Sequence, residues 1–139
     1  MSAFGAPQDI AARLAALPAP VRLVFFTQTF GCETCLPARQ VVDQIASLSD
    51  QITVEEHSLV LDKDKVVEFG VDKAPAIAVV GEQDFGIRYY GVPVGHEVGS
   101  LIEAIDLAAN GEPRLSEDSV IALAALDHAV HLQVFVTPT

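Results

Sequence analysis

The run Val21–Thr27 (VRLVFFT) constrains this chain more than any other feature. It is rich in β-branched and aromatic residues and continuous rather than alternating, which is the pattern of a strand covered on both faces. A central strand is therefore expected, with helices packed on each side. The 139 residues suffice for one domain, and a chain of that size buries about 70% of the surface its unfolded form exposes. Half the residues are hydrophobic, but they fall in runs of about five to seven, far short of the roughly 20 needed to cross a bilayer. No membrane partner is expected. The N-terminal stretch MSAFGAPQDIAARLAALPAP interrupts its apolar residues with Gln8, Asp9 and Arg13 and lacks the basic start and unbroken apolar core of a secretory leader. A cytoplasmic location is the expectation. With 8 Lys+Arg against 19 Asp+Glu, the net charge is −11. Such a surface repels phosphate backbones, and no basic stripe offsets it, which excludes a nucleic-acid partner.

Around the apolar run the pattern alternates between helix and strand. Ile10, Leu14 and Leu17 recur at helical spacing over 7–17, and Pro18 and Pro20 close that segment. After the run, Val41, Val42, Ile45 and Leu48 share one face of a helix expected over about 33–49, with Arg39, Gln40, Asp43 and Gln44 elsewhere on it. A strand over Ile52–Leu59 and a short helix over Asp62–Phe69 follow, the latter stopped by Gly70 in the C-cap role. Strands Ala76–Val80 and Phe85–Tyr90 then flank Gly81-Glu-Gln-Asp84, a connection suited to an antiparallel hairpin. Gly91, Pro93 and Gly95 break the chain before a helix from about Glu97 to Ala109. The expected class is α/β: a mixed sheet in the order β-α-β-α-β-β-α, with an extra N-terminal helix and helices on both faces.

Beyond Asn110-Gly-Glu-Pro113 the chain reads as a helix over about Ser116–Asp127 and an apolar strand, Leu132–Val136. Leu14-Ala-Ala-Leu17 followed by VRLVFFTQT is echoed by Leu123-Ala-Ala-Leu126 followed by VHLQVFVTPT, with one inserted residue. The chain therefore divides into a domain over 1–112 and a segment over 113–139 that begins the same unit again.

The only two cysteines, Cys32 and Cys35, enclose Glu33 and Thr34. A ring that small adds little to folding, because stabilisation by a crosslink grows with the loop it closes. Placed after a strand and at the start of a helix, the first sulfur lies where free N–H groups favour a thiolate. The second, three residues on, can attack a mixed disulfide and release its partner. Cys32 is thus the expected nucleophile and Cys35 the resolving thiol, a chemistry that needs no cofactor. Glu33 places a negative charge beside the developing thiolate and pulls the couple toward the reducing end.

A second feature adds to the first: Val71-Asp-Lys-Ala74-Pro75 stands immediately before the Ala76–Val80 strand. The two together resemble the thioredoxin/glutaredoxin superfamily over roughly residues 21–110. The resemblance tightens at Asp84-Phe-Gly-Ile-Arg-Tyr-Tyr-Gly-Val-Pro-Val-Gly-His-Glu97, which is similar to the N-terminal unit of protein disulfide oxidoreductases built from two fused thioredoxin folds. It implies thiol–disulfide exchange with disulfide-containing protein substrates and with a partner that supplies or accepts electrons. It also implies a cis Pro75 facing the sulfurs, Ala74 offering backbone to an extended substrate, and Glu33 and Thr34 lining the same site. In that family the second fold opens with a strand much like Val134–Thr139. The related N-terminal domain of the alkyl hydroperoxide reductase flavoprotein has a first fold without cysteines, a pattern this chain departs from. At position 26, where many thioredoxins hold a buried Asp, this chain has Phe26, and Glu55 or Glu56 on the next strand is the substitute carboxylate to examine.

Two other classes compete. One is a redox-silent module in which the terminal helix and strand drive self-association through an exposed strand edge. The other is a metal or iron–sulfur site shared between two chains, each giving one CxxC, since metal sites want four ligands and the chain holds no second CxxC. His57, His96, His128 and His131 are scattered along the sequence.

Overall fold

The computed structural model describes residues 7–137. Strand β1 (Val21–Thr27) buries every residue from Val21 to Phe26 except Arg22, as its composition demands. It lies inside a four-stranded sheet of order β2-β1-β3-β4, formed with β2 (Ile52–Ser58), β3 (Ala76–Val80) and β4 (Ile87–Tyr90). β1 pairs parallel with β2, Phe26 opposite His57, and antiparallel with β3, Phe26 opposite Ala76. β3 and β4 form the antiparallel hairpin.

The side-chain alternation of β1 divides the core in two. Leu23 and Phe25 join Ile77 and Val79 against α1 (Pro7–Ala15), α2 (Cys35–Ala46) and α4 (His96–Asn110). Val24 and Phe26 join Ala76, Ala78 and Val80 against Phe69 and Val71, at the end of α3 (Lys63–Phe69). Each fully buried Phe, Leu or Ile removes enough apolar surface from water to contribute about 1.5–3 kcal/mol, so the two layers fix the register of β1 against β3. Gly70 ends α3 in the left-handed conformation, φ 64°, which a glycine adopts without steric cost.

Several boundaries differ from the sequence expectation, each for a local reason. Helix α2 begins at Cys35 rather than 33 and ends at Ala46. Pro37 thereby falls in the first turn, where a missing N–H costs nothing. β4 begins at Ile87 rather than Phe85, because the Asp84 carboxylate takes the Gly86 N–H and the Arg88 guanidinium in a side-chain-closed turn.

The largest correction concerns the end of the chain. Helix α5 (Glu117–Ala124) forms, with Ser116 Oγ accepting the Ser119 N–H, but it buries no residue. Leu132–Val136 is not a strand; it has no regular secondary structure and is exposed throughout. A strand is defined by a ladder, and among the described residues no neighbour offers this segment one.

Candidate active site

Strands β1 and β3 are antiparallel, so the end of β1 and the entry to β3 meet at one edge of the sheet. The loop after β1 leads through Cys32 to Thr34, the N-cap of α2, and the segment Ala74–Pro75 enters β3 at that same edge. The Ala74–Pro75 bond is cis, and the Pro75 carbonyl accepts from Gly91 N–H at 3.1 Å, which ties the loop after β4 to this edge as well. The two chain segments singled out in the sequence are therefore brought to one end of the molecule.

Cys32 and Cys35 are joined as a disulfide, with Cα atoms 5.5 Å apart. Cys35, the first residue of α2, is buried at 4% exposure, whereas Cys32 is half-buried and Glu33 and Thr34 are exposed. Solvent therefore reaches the first sulfur in preference to the second. Pro75 is buried and Ala74 half-buried beside it in sequence.

Beside the exposed Glu33 and Thr34, the surface around the disulfide carries large apolar side chains. Phe30 is 85% exposed, Leu61 81% and Leu36 68%, all in loops or a first helical turn at this end. A cavity of about 360 Å³ runs between the loop after β1 and the loop after β2, lined by Gln28, Thr29, Phe30, Ser58, Val60 and Leu61.

Both candidate carboxylates of β2 are engaged by other side chains. Glu55 pairs with Arg22 at 2.8 Å and lies 2.7 Å from His57 Nε2. Its pKa falls below the ordinary carboxylate value through the His57 hydrogen bond first and Arg22 second, against the opposing effect of burial. Glu56 instead meets Arg39, whose guanidinium spans Asp43 at 2.8 Å and Glu56 at 2.9 Å. Burial works against the Arg39 charge, but its bonds to the two carboxylates outweigh that and raise its pKa. Tyr89 donates to Glu97 at 2.6 Å; burial and that carboxylate push its pKa far up. His96 is the exposed first residue of α4. Lys73, just before Ala74, sits 5.5 Å from the centre of the Tyr90 ring.

No protein-family model matches the sequence, but individual proteins do. The chain is 36% identical over 76 residues to a probable thioredoxin of Methanothermobacter thermautotrophicus and covers 81% of that protein. The chain belongs to the thioredoxin family. It is also 29% identical over 101 residues to an alkyl hydroperoxide reductase component of Staphylococcus epidermidis, spanning 73% of this chain but only 18% of that longer protein. Among solved structures, a protein disulfide oxidoreductase from Aeropyrum pernix superposes with a TM-score of 0.80 at 27% identity, covering 94% of this chain and 58% of that one.

The thioredoxin-like element order was legible from hydrophobic periodicity and the CxxC pair from its spacing, whereas Ala74 and Pro75 were legible only through the family resemblance. The Arg39–Glu56 pair was not, because Arg39 reads as a surface residue of α2. Its one sequence signal is the spacing Cys35, Arg39, Asp43, four residues apart each time along one helix face.

Proposed function

We propose that this chain exchanges thiols and disulfides with protein substrates, Cys32 attacking and Cys35 resolving. The observation that carries the reading is the unequal burial of two cysteines bonded to each other at the start of α2. In the reducing direction, the Cys32 thiolate attacks one sulfur of a substrate disulfide. A mixed disulfide forms, and the departing substrate thiolate takes a proton. The Cys35 thiolate then attacks Cys32 Sγ, releasing the second substrate thiol and leaving the Cys32–Cys35 disulfide. The substrate gains two electrons and the chain loses two, which a dithiol donor must restore. Glu33 biases the couple toward the reducing end. Ala74 and Pro75 offer an extended edge to the substrate backbone, with Thr34 beside the sulfurs. The exposed Phe30, Leu36 and Leu61 favour apolar protein segments over small polar disulfides. The reducing cytosol is the compartment where such a pair turns over.

The test equilibrates the protein in graded thiol–disulfide buffers and counts alkylatable cysteines by mass. A two-electron transition between about −150 and −300 mV is expected; a pair that never forms or never opens refutes the reading. Cys35→Ser should accumulate a mixed disulfide with substrate, and Cys32→Ser should not.

The segment 113–139 is read as the start of a second thioredoxin-like unit. Two observations support this. Helix α1 ends one residue after Leu14 and α5 one residue after Leu123, so the echoed residues occupy equivalent places. Leu14 and Leu17 are buried core residues, while Leu123 and Leu126 are half exposed, as expected of a unit whose remaining strands and helices are not in this sequence. Self-association through this segment is the alternative, and size-exclusion of the chain against one ended at residue 112 separates the two: a monomer in both cases rules self-association out.

A further inference from the structure

We infer that Arg39 is a positioning residue for the dithiol, its guanidinium holding the Cys35 sulfur in the thiolate form and Glu56 opposing it. The inference rests on the oxidoreductase reading of the same site. Cys35 and Arg39 are four residues apart on α2, a spacing that puts their Cβ atoms about 6 Å apart on one face. Both turn toward the sheet: Cys35 is buried, and the Arg39 guanidinium carbon lies 5.9 Å from the centre of the Phe25 ring on β1. Phe25 stands opposite Glu56 in the β1–β2 register, and Glu56 receives the guanidinium at 2.9 Å. A cation, an aromatic ring and a carboxylate thus form one layer between α2 and the sheet. Asp43, the other partner of Arg39, is eight residues from Cys35, about 12 Å along the helix axis. Its carboxylate is nonetheless bonded to the guanidinium at 2.8 Å, so Asp43 and Glu56 are the two charges that oppose the cation.

The remaining charges at this end of the sheet have other surroundings. Glu33, Asp72 and Lys73 are exposed, Asp62 accepts from Ser58 N–H, and Glu97 accepts from Tyr89. His96 is exposed, and His57 stands opposite Phe26, the neighbour of Phe25, and so on the other face of the sheet.

A disulfide carries no charge and a thiolate does, so a partly desolvated cation one turn away stabilises the reduced form alone. The same field raises the fraction of Cys35 present as the thiolate that attacks the mixed disulfide. Asp43 and Glu56 restrain the Arg39 side chain, which keeps the charge where it acts.

The experiment equilibrates full chains with reduced and oxidised glutathione at one pH: the protein disulfide plus two glutathione thiols gives the protein dithiol plus one glutathione disulfide. Thiol pKa values of the reduced proteins are read from thiolate absorbance. In Arg39→Gln the equilibrium should move three- to tenfold toward the disulfide, tenfold being about 30 mV, and the Cys35 pKa should rise. In Glu56→Gln both should move the other way. Arg39→Lys, which keeps the charge and loses the planar fork, should stay within about twofold of the unaltered chain. A structural role alone would shift both Gln variants in one direction, and that result, or shifts below twofold in both, overturns the inference. Should Arg39→Gln not fold, the direction of the Glu56→Gln shift decides. If the unaltered chain shows no two-electron transition, the oxidoreductase reading itself fails; if it does and the variants do not diverge, only the role of Arg39 fails.

Discussion

Gly81→Ala should destabilise the protein without touching its redox couple. Gly81 follows β3 at the start of the hairpin, and a Cβ there would lie 2.2 Å from the Ala108 carbonyl oxygen and 2.9 Å from its carbon. Both obstacles are backbone near the end of α4, so no side-chain rotation relieves them. Either the hairpin or the last turn of α4 must move by about 1 Å, and each is tied to buried neighbours, Val79 and Val80 on one side and Ile105, Ala108 and Ala109 on the other. Overpacking of this kind costs about 1–3 kcal/mol, with the upper end fitting a clash with backbone. The lost freedom of glycine in the unfolded chain offsets about 0.4–1 kcal/mol. A net loss of about 2 kcal/mol follows, a large fraction of the 5–15 kcal/mol typical of a domain. Urea unfolding should show the midpoint fall with an unchanged slope. Gly99→Ala is the matched control: it lies in α4 with nothing within 4 Å of the added atom, and there the better helix former should stabilise by about 0.5–1 kcal/mol. Val80 pairs with Arg22 near the start of β1, whereas the disulfide follows its end, so the glutathione equilibrium of Gly81→Ala should match the unaltered chain. A loss below about 0.5 kcal/mol, or the same sign at both glycines, refutes the steric account.

Two further outcomes are expected. Glu55 and Asp84 both have folded-state pKa values below their ordinary 4.5 and 3.8, Glu55 mainly through its His57 hydrogen bond and Asp84 mainly through Arg88. The unfolded chain therefore binds more protons than the folded one in this range, so their contribution is whole above the ordinary values and lost as pH falls through the folded ones. Urea midpoints should decline from about pH 5 downward, and Asp84→Asn should flatten that decline; an unchanged acid limb contradicts the assignment. Ending the chain at residue 112 should change stability by less than about 1 kcal/mol, since every residue from 111 to 137 is exposed and the ion pairs lost run from the exposed Arg114 to exposed Glu103 and half-buried Asp106, which keeps Arg13 beside it. A larger loss would show that the terminal segment belongs to the first domain.

How far the sequence discloses this molecule depends on whether the deciding interaction is local. Val21–Thr27 and Ala76–Val80 match their strands residue for residue, because runs this apolar, broken only by Arg22, are buried on both faces. Tyr89 packs against the core and Tyr90 is exposed, as alternation requires. Leu132–Val136 has the composition of a strand, but strand formation needs a partner that composition does not supply. For the site, the Cys pair announces itself by spacing, and Ala74–Pro75 only by resemblance to the family. Glu56 and Arg39 are separated by a helix end, a turn and half a strand, and only the β1–β2 register and the face that α2 turns to the sheet bring them together.

These placements also decide what a redox measurement on this chain reports. The disulfide closes a ring of only four residues, which removes little entropy from the unfolded chain. Its only helical member is Cys35, and the helix is held from its first turn by Ala38 N–H to the Thr34 carbonyl and by the burial of Ala38, Val42 and Ile45, none of which needs the S–S bond. The reduced chain should therefore keep the fold, with a melting temperature within a few degrees of the oxidised form. The glutathione equilibrium then measures the chemistry of two sulfurs in a fixed field rather than a folding transition. That is the condition under which opposite shifts from Arg39→Gln and Glu56→Gln can be assigned to charge. A fall of ten degrees or more on reduction would couple the potential to folding and remove that assignment.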